Sequence, residues 1–312
     1  MKSTLRWFFG LVLLSFLWFP PATAAEPSAG EPKAKEVRHV RNRGLLYEVK
    51  NTANLVYLFG TIHLGRPDFY PLGAAATRAF SGSKYLVVEA DVSDKAAMQD
   101  INEQAMYPPS TSLEEHLPPP LLDRTLSLLR EYRIPKEQAT RLKPWALILT
   151  ISAVEATRAG YDPALGTDLY LIERAKGQGK PILELEGLQR QTDILDGLSN
   201  EAQQAFLDET LTEIESGDAA KNLSDLAEAW SKGDAAGVAG EWVRLQRSGL
   251  ASDKMFVDKL LLERNVVMAR RVEEYLRSGE RHFVAVGALH LVGEKSIVDL
   301  LKRKGLKIRE IR

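Results

Sequence analysis

Two short phrases that contain a histidine recur near the two ends of this chain. The first is FGTIHL at residues 59–64, and the second is VGALHL at residues 286–291. Each consists of an apolar residue, a glycine, two further residues, a histidine and a leucine. The chain holds only five histidines, so a matched pair indicates placement rather than chance. Imidazoles presented by equivalent strand ends can bind a metal ion or share a catalytic site.

A carboxylate stands at the equivalent place after a third apolar run. Residues 85–88 lead to Glu89, as residues 57–59 lead to His63 and residues 284–286 lead to His290. In open α/β sheets, ligands bind beyond the carboxyl ends of the strands. If the three strands are parallel neighbours, these side chains converge. Two histidines and a glutamate form a catalytic metal set that leaves one position for water.

Each of these residues also has a plainer interpretation. A histidine among aliphatic residues is commonly a satisfied core or surface group. Glu89 can close a strand by accepting backbone hydrogen bonds. The pattern also lacks the compactness of an H-E-x-x-H helix, in which one segment fixes two ligands. The prediction of a site therefore depends on the joint occurrence of both phrases and the carboxylate.

The N-terminal composition predicts export. Residues 1–25 are typical of a signal peptide, with a basic start, an apolar stretch at residues 7–19 and a small-residue cleavage site at residues 22–24. The apolar stretch is shorter than the roughly 20 residues that span a bilayer. Residues 26–42 are typical of a disordered leader. These features predict a periplasmic or secreted protein without a stable membrane span.

The remaining chain has the composition of a globular α/β protein without disulfides. Net charge is −1 and cysteine is absent. Acidic and basic residues are interspersed, which gives no basic stripe for nucleic acid. Residues 43–312 are predicted to form one α/β domain with a mixed central sheet, flanking helices and a helical insertion at about residues 93–278. Strands are predicted at residues 45–49, 55–59, 85–88, 181–185 and 282–286, followed by a helix at 294–304 and a last strand.

Several ordered motifs resemble the TraB/PrgY/GumN/Tiki family over roughly residues 44–312. The paired histidine phrases resemble its G-x-x-H motifs, and Glu89 matches the carboxylate that ends its second core strand. GTD at residues 166–168 resembles its G-x-D helix start, LEGLQ at 185–189 its L-E-x-x-x-Q strand end, and ERN at 263–265 its E-R-N element. The resemblance implies a fold similar to the erythromycin-esterase and ChaN-like proteins. It also implies a metal-dependent hydrolase, since Tiki members are described as peptidases that use manganese or cobalt.

The resemblance and the pattern together assign candidate roles. His63, Glu89 and His290 are predicted to hold a divalent cation, with manganese or cobalt favoured over zinc. The candidates for general base or further ligand are Asp168 and Glu186, and spacing leaves open which is which. Arg264 and Asn265 are candidates for stabilising an oxyanion or the substrate backbone.

The plainer interpretations of these residues stay open as well. Asp168 also suits a helix-dipole partner, Glu186 a solvated strand end and Arg264 a structural ion pair. Gln189 is a weaker candidate. The other histidines, His39, His116 and His282, are expected at the surface.

The function predicted from the sequence is a secreted or periplasmic metal-dependent hydrolase, with a peptide or protein as substrate. A peptide-capturing protein that does not cleave its ligand is one alternative. A metal or haem carrier of the ChaN-like type is another, suggested by fold analogy alone. A non-peptide esterase is a rival within the hydrolase class.

Overall fold

A computed structural model describes residues 44–311 of the chain. The predicted signal peptide and leader, together with Arg312, lie outside the described residues. Six strands form one sheet in the order β4-β3-β5-β2-β1-β6. They are β1 (Leu45–Lys50), β2 (Leu55–Thr61), β3 (Tyr85–Val88), β4 (Ile182–Glu184), β5 (His282–Gly287) and β6 (Lys307–Ile311).

The sheet is mixed, as predicted. Strands β4, β3, β5 and β2 run parallel, whereas β1 is antiparallel to both β2 and β6. The two strands that carry the histidine phrases, β2 and β5, are direct neighbours, and Thr61 pairs with Gly287 in their register. Strands from opposite ends of the chain therefore meet at the centre of the sheet.

Helices surround the sheet and fill most of the predicted insertion. They are α1 (Ala74–Ser81), α2 (Lys95–Gln104), α3 (Pro119–Glu131), α4 (Lys136–Ala139), α5 (Pro144–Arg158), α6 (Thr167–Gly177), α7 (Leu188–Asp196), α8 (Asn200–Glu215), α9 (Asp218–Lys232), α10 (Ala235–Arg247), α11 (Ala251–Met255), α12 (Glu263–Arg277) and α13 (Ile297–Arg303). A π-helical segment, Phe256–Leu262, joins α11 to α12. Among the described residues, no helix has both the length and the apolarity that a membrane crossing needs.

The core lies on both faces of the central strands, which explains their continuous apolar sequences. On one face, Phe59 and Phe283 approach with ring centroids 5.5 Å apart, and Phe80 of α1 meets Phe283 edge-on at 5.6 Å. Helix α5 is buried over most of its surface, including Trp145. Because α5 is apolar on most sides, it forms a core helix rather than an amphipathic surface helix.

The boundaries differ from the predicted ones where capping decides them. The last helix, predicted at residues 294–304, begins at Ile297 instead. Ser296 caps it by accepting a hydrogen bond from the Asp299 backbone N–H, and Lys295 has a positive φ of 56° that excludes an earlier start. Strand β4 has three residues rather than five. Near the end of the predicted helical insertion, the π-helical segment interrupts an otherwise α-helical stretch from Ala251 to Arg277.

Candidate functional site

The carboxyl ends of β2, β3 and β5 bring His63, Glu89 and His290 together beside Gly287. A Cβ atom added to Gly287 would lie 3.3 Å from His63 Nε2, 3.4 Å from Glu89 Oε1 and 3.6 Å from His290 Cδ2. All three side chains are at least 95% buried. We call the space beside Gly287, bounded by these three side chains, the cradle. Glycine is the residue that leaves this space open.

His63 is oriented by Asp168 at the start of α6. His63 Nδ1 and Asp168 Oδ2 are 2.7 Å apart. A carboxylate oxygen accepts, so Nδ1 donates to Asp168, and in the neutral ring Nε2 carries the lone pair, beside Gly287. Burial would lower the pKa of His63, but the charge and hydrogen bond of Asp168 raise the pKa above its ordinary value.

The G-T-D motif at residues 166–168 packs against the backbone of the first histidine motif and hydrogen-bonds to it. A Cβ atom on Gly166 would lie 2.6 Å from the His63 carbonyl oxygen, so only glycine permits this approach. The Thr167 hydroxyl accepts from the Ile62 N–H at 2.8 Å, and it lies 3.1 Å from the Ile62 carbonyl. The Thr167 N–H also donates to that carbonyl at 2.8 Å. These contacts fix the strand exit that carries His63.

His290 is oriented by Asn265 of α12. His290 Nδ1 and Asn265 Oδ1 are 2.6 Å apart, while Asn265 Nδ2 donates to the Lys295 carbonyl at 3.0 Å. The second bond fixes which end of the amide faces His290, so His290 also has its hydrogen on Nδ1. Burial lowers the pKa of His290 to about 3, which keeps this imidazole neutral near pH 7.

Glu89 lies at the bottom of the cradle in a dense set of donors. Its Oε1 accepts from the Gly287 N–H at 2.7 Å. Its Oε2 accepts from Gln191 at 3.2 Å and from Arg264. Burial would raise the pKa of Glu89, but Arg264, the two imidazoles and the Gly287 N–H lower the pKa to about 2. Glu89 is therefore a carboxylate throughout the ordinary pH range.

Arg264 bridges two buried carboxylates. Its side chain is 1% exposed, and it contacts Glu89 through Nη2 and Glu186 through Nε at 2.7 Å. Its Nη1 donates to the Leu260 carbonyl in the π-helical segment at 3.1 Å. A guanidinium that matches two carboxylates in this way is a strong, geometrically specific contact.

Glu186 is a buried carboxylate that binds the same guanidinium as Glu89. Its side chain is fully buried, yet among the described residues none donates a hydrogen bond to its Oε1, and Arg190 Nε lies 3.8 Å away. Burial raises the pKa of Glu186 above its ordinary value despite the opposing charge of Arg264. The raised pKa makes this carboxyl group a candidate proton acceptor.

The predicted site residues lie around the cradle or contact a residue there, with one exception. Gln189 is exposed and contacts Gln104 and Asp193, whereas the glutamine that reaches Glu89 is Gln191. Gln191 lies on the buried face of α7, between Leu188 and Leu195. Its helical spacing from these two leucines is the sequence pattern that could have identified it as a buried residue.

The surface position expected for His282 is wrong. Its side chain is buried at the start of β5 between the rings of Tyr85 and Tyr275, with centroids 4.8 and 4.5 Å away. Stacking between two aromatic rings thus explains why His282 is buried, although the sequence predicted that it lies at the surface. His116 is half-buried and stacks on Tyr107, and His39 lies outside the described residues.

The segment from residue 222 to 250, which had no predicted role, supports the first histidine phrase. It forms most of α9 and α10. The buried Trp230 of α9 donates from Nε1 to the Gly60 carbonyl at 2.8 Å. Gly60 opens the G-x-x-H motif, so α9 supports the strand end from which His63 emerges.

The donor atoms around the cradle are of the types that bind a divalent ion. Two imidazoles with Nδ1 bound to oxygen acceptors are typical of histidines that ligate a metal through Nε2. His290 Nε2 and Glu89 Oε1 are 3.8 Å apart, within the ~4 Å that one ion can bridge with bonds of about 2.1 Å. Within residues 44–311, no group of three or more His, Cys, Asp or Glu side chains is arranged so that it could hold a metal ion as it stands.

These features define an α/β protein with a buried two-histidine, one-carboxylate site at the ends of parallel strands. The sequence profile of the TraB/PrgY/gumN family matches residues 45–310. The chain therefore belongs to the TraB/PrgY/gumN family, as the motifs predicted.

Curated relatives include both bacterial and animal proteins. The uncharacterized protein YbaP of Escherichia coli K12 is 28% identical over 250 residues, which cover 79% of this chain and 87% of YbaP. Metalloprotease TIKI1 of Danio rerio is 24% identical, covering 95% of this chain and 69% of the relative. The metalloprotease TIKI homolog of Nematostella vectensis is 26% identical, covering 86% and 67%. No solved structure matches the chain significantly, so the similarity to the ChaN-like fold stays a prediction.

Proposed function

We propose that this protein is an exported metal-dependent hydrolase that cleaves peptide bonds. One observation carries the proposal: both imidazoles have Nδ1 tied to an oxygen acceptor and converge with Glu89 on the cradle. Distant relatives named metalloproteases support this class of reaction. The predicted signal peptide supports a periplasmic or secreted location.

The ion would be held by His63 and His290 through Nε2, with Glu89 as the carboxylate ligand. Manganese or cobalt is favoured, and zinc is the next candidate. When bound, such an ion activates water and polarises a carbonyl. Asp168 and Asn265 keep the imidazoles in the tautomer that ligation needs.

The contacts favour different roles for the two candidate bases. Asp168 is engaged with His63 and fixes its orientation, so it acts as a positioning residue. Glu186 Oε1 accepts no hydrogen bond from the described residues, and the pKa of this group is raised. We therefore assign Glu186 as the base that takes a proton from the attacking water and returns it to the leaving amine.

The contacts also favour positioning roles for Arg264 and Asn265 over the predicted oxyanion role. Arg264 holds Glu89 and Glu186 apart while neutralising part of their charge. The Asn265 amide is engaged at both ends, by His290 and by the Lys295 carbonyl.

The test compares the chain lacking residues 1–25 with its His63→Ala/His290→Ala double variant. Bound metal is measured after incubation with manganese, cobalt or zinc, and cleavage of a peptide library is followed by mass spectrometry. His282→Ala is the matched control, because it removes a buried strand histidine outside the cradle. We expect the double variant alone to lose metal and hydrolysis. Equal metal content and equal cleavage in wild type and double variant would overturn the proposal.

Further measurements on the same proteins separate the alternatives. Peptides that bind tightly but keep their mass would favour a capturing protein over a hydrolase. A Soret band on haem titration that disappears in the double variant would favour a haem carrier. Cleavage of ester but not peptide substrates would restrict the activity to an esterase.

A further inference from the structure

Thr61 places a buried hydroxyl at the end of β2, next to the cradle. Its side chain is 0% exposed, and no other described residue forms a hydrogen bond with its Oγ1. Buried hydroxyl groups nearly always have a partner, so each exception needs an explanation. The neighbouring backbone groups of Ile62 are already engaged by Thr167.

The register of the sheet shows which way Thr61 faces. Thr61 pairs with Gly287 of β5, and directly paired residues of neighbouring strands project from the same face of a sheet. The Cβ direction of Gly287 points to His63 Nε2 and Glu89 Oε1. The Thr61 side chain is therefore on the face where the cradle lies, one strand away from it.

Packing alone does not explain the hydroxyl. Valine has the same shape as threonine, and it would avoid the cost of burying a polar group without a partner. The second histidine phrase has Ala288 at the equivalent position, so a strand exit of this kind forms without a hydroxyl. Of the two histidine motifs, only the first therefore has a hydroxyl at this position, on the face of the sheet where the cradle lies.

We propose that the Thr61 hydroxyl binds the attacking water in the cradle. The inference rests on the proposed hydrolase function and adds a residue to it. Thr61 exchanges no proton in the reaction. Its hydrogen bond holds the water while the carboxylate of Glu186 accepts the water proton, the water oxygen bonds to the scissile carbon, and the amine leaves with a proton.

The kinetic test uses two variants that separate shape from hydrogen bonding. Thr61→Val keeps the shape, and Thr61→Ser keeps the hydroxyl. Because one water contact is lost in the chemical step, we expect Thr61→Val to lower kcat by about tenfold or more while KM stays within about twofold. Thr61→Ser should retain most of the wild-type kcat, and Thr61→Val should unfold at the wild-type temperature or above it. A Thr61→Val protein with wild-type kcat would overturn the inference.

A crystal structure of the wild-type chain tests the contact independently of activity. We expect an ordered water within hydrogen-bond distance of Thr61 Oγ1 on the Gly287 side, and its loss in Thr61→Val. A hydroxyl bonded only to protein groups would overturn the inference even in an active enzyme. A water at Thr61 in a protein that cleaves no peptide would instead contradict the hydrolase proposal alone.

Discussion

The two imidazoles at the cradle are held by different chemistries, and their acid–base behaviour diverges as a result. A carboxylate orients His63 and raises its pKa, whereas an amide orients His290, whose pKa falls to about 3 through burial. His290 is therefore a permanently neutral donor, and His63 depends on Asp168 for its orientation. The asymmetry makes Asp168 the most informative residue to change.

Asp168→Asn should weaken metal binding without unfolding the protein. Loss of the carboxylate frees the tautomer and orientation of His63, and removal of such an outer partner typically costs ~10–100-fold in metal affinity. The measurement is titration calorimetry with manganese. Asp123→Asn, at an exposed position on α3, is the control. Unchanged manganese affinity in Asp168→Asn would show that Asp168 has no part in orienting a ligand.

Gly287→Ala should fill the cradle while leaving the fold intact. The backbone of Gly287, with φ −49° and ψ 136°, suits alanine, and the methyl group would meet side-chain atoms at 3.3–3.6 Å. We expect the free energy of unfolding to change by less than about 1 kcal/mol, with loss of metal binding and hydrolysis. Gly240→Ala, where a Cβ meets nothing within 4 Å, is the control. A fully active Gly287→Ala protein would mean that the chemistry occurs elsewhere.

At the scale of elements, the loop before α6 and the exit of β2 act as one unit. The close approach of Gly166 to His63, the bonds of Thr167 to Ile62 and the Asp168 contact all join the same two segments. The G-T-D motif, residues 166–168, thus fixes the positions of Ile62 and His63. The G-T-D phrase serves the geometry of His63 as well as the start of a helix.

Gly166→Ala should therefore damage the site through the backbone. The added Cβ would lie 2.6 Å from the His63 carbonyl oxygen, and overpacking of this kind costs ~1–3 kcal/mol. Urea unfolding should show this loss, and manganese affinity should fall with it. Gly177→Ala, in the last turn of the same helix, meets nothing within 4 Å and should keep wild-type stability. Equal stability of the two variants would contradict a close contact between Gly166 and the His63 carbonyl.

The elements that could be predicted from the sequence are those determined by their own local residues and not by contacts with distant ones. Continuous apolar runs predicted β3 and β5. The turn between the predicted strands β1 and β2 is also determined locally, because Asn51 accepts from the Ala53 and Asn54 N–H groups. The Trp230 contact depends on a distant partner, Gly60, which lies 170 residues earlier in the chain. No local pattern encodes such a partner, so sequence reasoning missed it.

At the scale of the whole molecule, a further buried acidic group, away from the cradle, affects stability. Glu241 of α10 contacts Arg244, and the charges of Asp253 and Asp225 act on it. Burial raises the pKa of Glu241 to about 7, against the opposing effect of Arg244. In the unfolded chain its pKa returns to the ordinary value of 4.5.

The stability of the protein should therefore fall as pH rises from about 4.5 to about 7. Over this range the folded state keeps a proton on Glu241 that the unfolded state has lost, so deprotonation favours unfolding. The contribution is at most about 3 kcal/mol. Urea unfolding across this range should show the decline in wild type and a flatter profile in Glu241→Gln. Parallel profiles would mean that Glu241 is ionised throughout.

Anomalous diffraction from a crystal of the wild-type chain soaked in manganese tests the central claim most directly. Convergence of His63 and His290 on the cradle predicts a manganese peak beside Gly287, at coordination distance from both Nε2 atoms. A crystal of His63→Ala/His290→Ala soaked in the same way should lack this peak. Saturating manganese with no peak at the cradle, or a peak that contacts neither imidazole, would contradict the claim.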